Sequence, residues 1–236
     1  MGDARRDSIC RYVVGVSWPR SGHHLVVNVL HEYFENEFAY CEFYTPSDCC
    51  KSAPCARREY IKLSKNHDFL LKMPIVVDYP HFIQYRSFLP SVVSAFELFI
   101  EQGQPDTFTS FEKFATKEAR IYNKFLAKWV FGTKRPRERL ILRYEDLTSE
   151  RGVYLISDVI RFFAKNHCVD TGRLARICES IRKEYVENGR RGSIRQFGIN
   201  ATRTVEEFRF YDKALFARLG AATRKSEEKS AMALGG

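Results

Sequence analysis

A chain of 236 residues with 44% apolar residues is long enough to bury one full core without staples. No stretch approaches the ~18 consecutive apolar residues that a membrane-spanning helix needs, and the charged residues 1–8 have no apolar run behind them, so neither a transmembrane segment nor a secretory signal is expected. Seven cysteines, an odd count, argue against a fully paired extracellular framework and for a cytoplasmic, reducing location, while the net charge of +9 sits on Lys and Arg mixed with acids.

Val13, Val14 and Val16 read as a buried strand that Pro19 and Gly22 end. Residues 24–34 then place Leu25, Val29 and Tyr33 on one side of a helix. A strand turning sharply into a helix aims unpaired backbone N–H groups and the positive dipole end into the turn; with Arg20 and Ser21 it makes an anion cradle. Residues 41–55 hold cysteines and prolines and show little periodicity. Residues 68–72 and 80–85 read as strands, the second leading through Arg86 into a helix over residues 90–101. A turn over 102–109 precedes a long amphipathic helix over 111–129. Residues 139–144 (RLILRY) read as a buried strand, followed by helices over 152–164 and 171–186 and by a Gly- and Arg-rich loop over 188–200. The small, polar segment from Ala221 is expected to fray, which sets a domain over 1–220 and a flexible tail over 221–236. Strands alternating with helices imply an α/β fold, a mainly parallel sheet covered on both faces with ligands at the carboxyl ends of its strands.

A nucleotide-triphosphate loop needs G-x-x-x-x-G-K-[S/T]. Here Gly15 is followed five residues later by Arg20, and no Lys-Ser or Lys-Thr pair comes next, so a P-loop-like kinase is the weaker alternative. A basic polyanion-binding protein is the non-enzymatic alternative; it calls for a contiguous cationic stripe with interleaved aromatics. The tight clusters, Arg57-Arg58, residues 134–139 and Arg190-Arg191, are far apart, and nucleic acid is not an expected partner.

The segment Trp18-Pro19-Arg20-Ser21-Gly22-His23-His24 resembles the 5′-phosphosulfate-binding loop of sulfotransferases that use 3′-phosphoadenosine-5′-phosphosulfate (PAPS). Further matches follow in the family's order. Arg86 and, eight residues on, Ser94 resemble the pair that binds the 3′-phosphate. Lys65-Asn66-His67 resembles the Lys-x-His segment that supplies the catalytic base. Tyr144 in Leu142-Arg143-Tyr144-Glu145-Asp146 resembles the strand-end Tyr that contacts adenine. Arg190-Arg191-Gly192 resembles a late loop over the 3′-phosphate, although Gly189, Gly192 and Arg195 fit a second register of it. Leu25 departs from the family, where many members place a Trp that stacks on adenine. The resemblance spans residues 10–200, and its phrasing is closer to bacterial sulfotransferases of glycans or lipo-oligosaccharides than to those acting on phenols.

The resemblance implies a PAPS-dependent sulfotransferase releasing 3′,5′-bisphosphoadenosine (PAP), with His67 as base, Lys65 and Arg20 neutralising charge at the transferred group, and no metal required. Pro19, Arg20, Ser21, Gly22, His23, His24, Arg86, Ser94, Tyr144, Arg190, Arg191 and Gly192 would bind the nucleotide, and the acceptor would be a hydroxyl of a glycan or glycolipid. Loops over 40–66 and 102–114 would face that acceptor, where Tyr40, Phe43, Tyr44 and Tyr60 are available to stack or pack. The spacings Cys41-x7-Cys49 and Cys50-x4-Cys55 are poor copies of paired zinc knuckles and read as thiols.

Overall fold

The first strand, β1 (Val13–Ser17), is buried along its whole length because its side chains serve two cores. Val13 points to one face, Val14 and Val16 to the other, the period of two that a strand covered on both sides imposes. The computed structural model describes residues 10–42, 49–50, 52–190 and 204–234. In chain order the elements after β1 are α1 (His23–Phe34), β2 (Tyr40–Glu42), β3 (Leu63–Asn66), β4 (His81–Tyr85), α2 (Phe88–Glu101) and α3 (Phe108–Trp129). Then come β5 (Arg139–Arg143), α4 (Tyr144–Leu147), α5 (Gly152–Phe163), α6 (Thr171–Arg190) and α7 (Lys213–Leu234).

Among the described residues the sheet has five strands, all parallel, in the order β2-β3-β1-β4-β5. Val13, Leu63, Phe82 and Leu142 meet Leu30 of α1, Val159 and Ile160 of α5 and Leu174 of α6 on one face. Val14, Val16, Ile83 and Tyr85 meet Phe96 of α2, Phe111 and Trp129 of α3 and Leu215 of α7 on the other. The expected α/β architecture is therefore present. From β1 the chain runs out to the edge, returns through β3 beside β1, and then crosses to β4 on the other flank. The connection after β1 leaves toward β2 and the one after β4 toward β5, so the order reverses between β1 and β4, the switch point at whose carboxyl end ligands bind in such sheets.

Several local expectations need correction. Residues 68–72 are a turn rather than a strand, and the strand lies earlier, at β3. Asp68 and Leu71 take positive φ, and the Asp68 carboxylate accepts the backbone N–H of Met73, which closes the chain into a loop. The segment read as aperiodic begins with the short strand β2. α6 runs on to Arg190, past the expected start of a loop. The segment from Ala221 is helical as the second half of α7, where the small side chains of Thr223 and Ser230 are buried. Glu227 of α7 accepts the N–H of Phe88 at the start of α2 (2.8 Å), and Glu145 accepts that of Ser87 (3.0 Å). Two carboxylates thereby satisfy orphan donors at that helix start.

Candidate active site

The turn after β1 is held open by its first residue. Trp18 lies in the core, its indole N–H donating to Ser91 (3.0 Å) and its ring edge-on to Tyr122 and Phe125. With Trp18 pinned, Pro19 to Gly22 form the lip. Arg20 (φ 63) and Gly22 (φ 77) are left-handed, a conformation that costs an ordinary side chain roughly 1–2 kcal/mol. At Gly22 there is no room either: a Cβ would lie 2.5 Å from the ring of Tyr144. Gly22 is the N-cap of α1, without a side-chain cap and with no acidic residue in the first turn, so the positive end of the helix is left for a ligand.

The cationic residues expected around this turn converge. Arg20 donates from Nε to Ser94 Oγ at 2.8 Å, and the Arg86 guanidinium sits 4.4 Å from the centroid of the Tyr144 ring, which itself covers Gly22. Burial, and then the like charge of Arg86, hold the Arg20 pKa below its ordinary value, with Glu97 and Glu101 of α2 opposing. Burial pushes the Tyr144 phenol up. Ser21 Oγ, Gln84 Nε2 and Arg86 Nε are buried and have no hydrogen-bond partner among the described residues. Buried donors are rarely left unpaired unless a ligand or water takes them. Two neighbouring guanidiniums, orphaned donors and an uncapped helix start fit a ligand carrying several phosphate or sulfate charges.

On the other side of β1 lies a titratable group. Lys65 of β3, 2% exposed, donates to Glu42 Oε1 of β2 at 2.5 Å, across the register that pairs Glu42 with Lys65. Burial lowers the Lys65 pKa and Glu42 opposes it, while Lys65 holds the Glu42 carboxyl below its ordinary value against burial. His24 Nε2 is 4.0 Å from the same carboxylate, and burial and Lys65 lower its pKa.

His67 lies just past the end of β3 with Nδ1 2.7 Å from the carbonyl of Ser17 and 3.2 Å from its hydroxyl. A carbonyl only accepts, so Nδ1 carries the hydrogen and Nε2 is the basic atom. Burial, then Lys65, bring the His67 pKa down to about 3. Phe69, nearly half exposed, lies against the imidazole, with ring centroids 5.0 Å apart.

His23 differs from its neighbours in the turn. Its ring is buried between Gln84 Oε1 and Tyr40 OH, both at 3.1 Å, with its pKa well below the ordinary value through burial, so its side chain serves the core. Leu25 packs on the core formed by α1, α5 and α6. Phe43, Tyr44, Arg191, Gly192 and Arg195 lie outside the described residues, as does the side chain of Arg190.

Sequence reasoning missed Glu42 and Gln84, and it reads Asp68 as a strand-end residue open to orienting the His67 imidazole. Asp68 is held by Lys128 Nζ (2.6 Å), Trp129 Nε1 (2.9 Å) and Met73 N (2.8 Å), so it fixes the loop after His67 rather than the imidazole.

Both His23 and His67 bind protons less readily folded than unfolded, where a His titrates near 6.5. Stability is therefore complete above about pH 6.5 and falls as pH drops toward 3. His67 alone should cost about 2 kcal/mol by pH 5. Urea midpoints measured from pH 7.5 to 5 should decline, and less steeply in His67→Gln.

No protein-family profile and no curated protein matches the sequence. Among solved structures, the chain is similar to the crystal structure of mouse sulfotransferase SULT7A1 complexed with PAP. The superposition has a TM-score of 0.60 at 15% identity and covers 93% of this chain and 86% of that one. No helix among the described residues is long and apolar enough to cross a membrane. At such low identity a likeness of this extent speaks for architecture, and the chain has the sulfotransferase fold.

Proposed function

We propose that the protein is a PAPS-dependent sulfotransferase acting on a hydroxyl of a carbohydrate or glycolipid. One observation carries this reading: Arg20, Ser94, Arg86 and Tyr144 gather around the turn that opens α1, amid buried donors without partners. The α1 start with Ser21 and Arg20 would hold the 5′ side of the nucleotide, and Arg86 with Ser94 the 3′-phosphate. Tyr144, beneath the Arg86 guanidinium, is the aromatic surface available to adenine in place of the Trp missing at Leu25. The likeness to a PAP-bound sulfotransferase fold supports the same ligand.

Bound PAPS would supply an electrophilic sulfuryl group and a phosphate able to leave. The rest belongs to this chain. His67 Nε2 would take the proton of the acceptor hydroxyl, with Nδ1–H on the Ser17 carbonyl fixing ring and tautomer. Lys65 and Arg20 would oppose the negative charge that develops at the transferred group, as cationic side chains do in phosphoryl transfer. Glu42 would hold the Lys65 ammonium in place when the site is empty. The exposed Phe69 and Leu70 beside His67 give the acceptor side an apolar rim, suited to the C–H face of a sugar or to a lipid chain.

PAP should raise the melting temperature and ATP with Mg²⁺ should not. Arg86→Ala should weaken PAP binding by about 10- to 100-fold, the loss of a charged hydrogen bond of roughly 1.5–3 kcal/mol. Calorimetric titration of both proteins checks this; unchanged affinity in Arg86→Ala would remove the 3′-phosphate assignment. Transfer of labelled sulfate to a glycan panel, with and without a chelator, tests acceptor and metal independence.

A further inference from the structure

Four cysteines that the sulfuryl-transfer chemistry does not use lie together at the β2 edge of the sheet. Cys41, Cys49 and Cys55 have their Sγ atoms all within 4.8 Å of one another. Cys50 Sγ lies 3.5 Å from that of Cys55 and 4.0 Å from that of Cys49, and Cys49 and Cys55 are 3.4 Å apart. Four thiolates at ~2.3 Å from a tetrahedral zinc stand roughly 3.8 Å from one another; the separations among Cys49, Cys50 and Cys55 scatter around that value, and Cys41 lies within 4.8 Å of Cys49 and Cys55. A disulfide needs ~2.05 Å and joins only two sulfurs, whereas three here share a common centre and all are free thiols. We propose that Cys41, Cys49 and Cys55, with Cys50 as the fourth ligand, bind a structural zinc ion.

Two further observations point the same way. Backbone N–H groups are aimed at the sulfurs: Ala56 N donates to Cys50 Sγ (3.1 Å) and Arg57 N to Cys55 Sγ (3.4 Å). Such donors stabilise ligating thiolates from the outer shell. Each thiol releases its proton to solvent on ligation, so four thiolates around Zn²⁺ carry a net charge of about −2. The exposed pair Arg57-Arg58, a basic cluster apart from the nucleotide site, follows the last ligand after one residue, Ala56.

The motif is hard to see in sequence because its first ligand comes from a strand and two others are adjacent in the chain. In the fold, Cys41 stands in register with Ser64, and the Cys55 N–H is tied to Tyr12 OH (2.7 Å), which is hydrogen-bonded to Ser64 (2.6 Å). The ion would thus fasten a three-residue edge strand, which ends in Glu42, to the body of the sheet.

The 236-residue chain purified under reducing conditions without chelator should contain about one zinc per chain by plasma mass spectrometry. Cys41→Ser/Cys55→Ser should lose it, while Cys168→Ser and Cys178→Ser should keep it. Because Cys55 is fully buried and its replacement perturbs the core, the wild-type chain stripped of metal and loaded with Co²⁺ gives a second readout that does not depend on the variant folding. Thiolate-to-cobalt charge-transfer bands with strong tetrahedral d–d absorption are expected. If the reduced wild-type chain takes up neither zinc nor cobalt, or if the double variant retains the metal, the proposal is overturned. PAP affinity measured on the same samples is independent of either result.

Discussion

His67→Ala is expected to lower kcat by about 10²- to 10⁴-fold while PAP affinity stays within about twofold, because a general base acts on the acceptor proton and leaves the nucleotide alone. The pH profile adds a sharper check. A base works when deprotonated, and burial with Lys65 keeps this ring neutral in the free chain, its pKa being about 3. The profile of kcat/KM reports free enzyme, so it should show no acid limb from His67 between pH 8 and about 5. An anionic nucleotide beside Lys65 offsets that cation and raises the imidazole pKa, so the acid limb of kcat should appear at higher pH than that of kcat/KM. Single-turnover rates on wild type and variant decide it. If His67→Ala turns over normally, the base is elsewhere; His24 comes next, since both His23 ring nitrogens face partners in the core.

Asp68→Ala should be the most damaging single change to stability. Its carboxylate, 4% exposed, receives the Lys128 ammonium, the Trp129 indole N–H and the Met73 amide. Removing it leaves two neutral donors unpaired and takes the counter-charge from Lys128, whose ammonium keeps the carbonyls of Leu71 and Met73; together this costs about 3–5 kcal/mol. In a chain of this size that corresponds to a fall of roughly 6–20 °C in Tm. Asp68→Asn, which keeps an acceptor oxygen and loses the charge, should fall between. Since Asp68 directly follows His67, kcat should drop with stability. Calorimetric melts below 1 kcal/mol of loss for Asp68→Ala would contradict this account.

Where local structure rests on contiguous residues, the sequence was readable. The run Val13-Val14-Gly15-Val16 followed by Pro19-Arg20-Ser21-Gly22 declares both strand and cradle, because burial and turn chemistry act locally there. Arg86 and Ser94 stand close in sequence because β4 leads straight into α2, and the fold brings Ser94 to Arg20 and Arg86 to Tyr144. The Glu42–Lys65 ion pair was not, since it depends on the register of two strands whose partners are 23 positions apart. Asp68 was misread for the opposite reason: apolar neighbours Phe69, Leu70 and Leu71 imitate a strand, yet Phe69 and Leu70 are exposed and the aspartate folds the chain back. The closeness of Cys41, Cys49 and Cys55 was not legible in their spacing, because proximity there comes from the sheet edge. α7 was underrated because the residues it buries from Ala221 onward include the small Thr223 and Ser230, which carry little hydrophobic signal.

Glu227, 139 positions downstream of Phe88, gives the end of the chain a stake in events at the opposite end of the sequence. The same carboxylate lies 3.2 Å from Tyr122 OH, whose hydroxyl is 2.9 Å from the carbonyl of Arg86. A premature stop or a protease nick between residues 213 and 227 would therefore leave the strand-to-helix joint that presents Arg86 and Ser94 without its clasp, and nucleotide affinity would suffer before the sheet itself came apart.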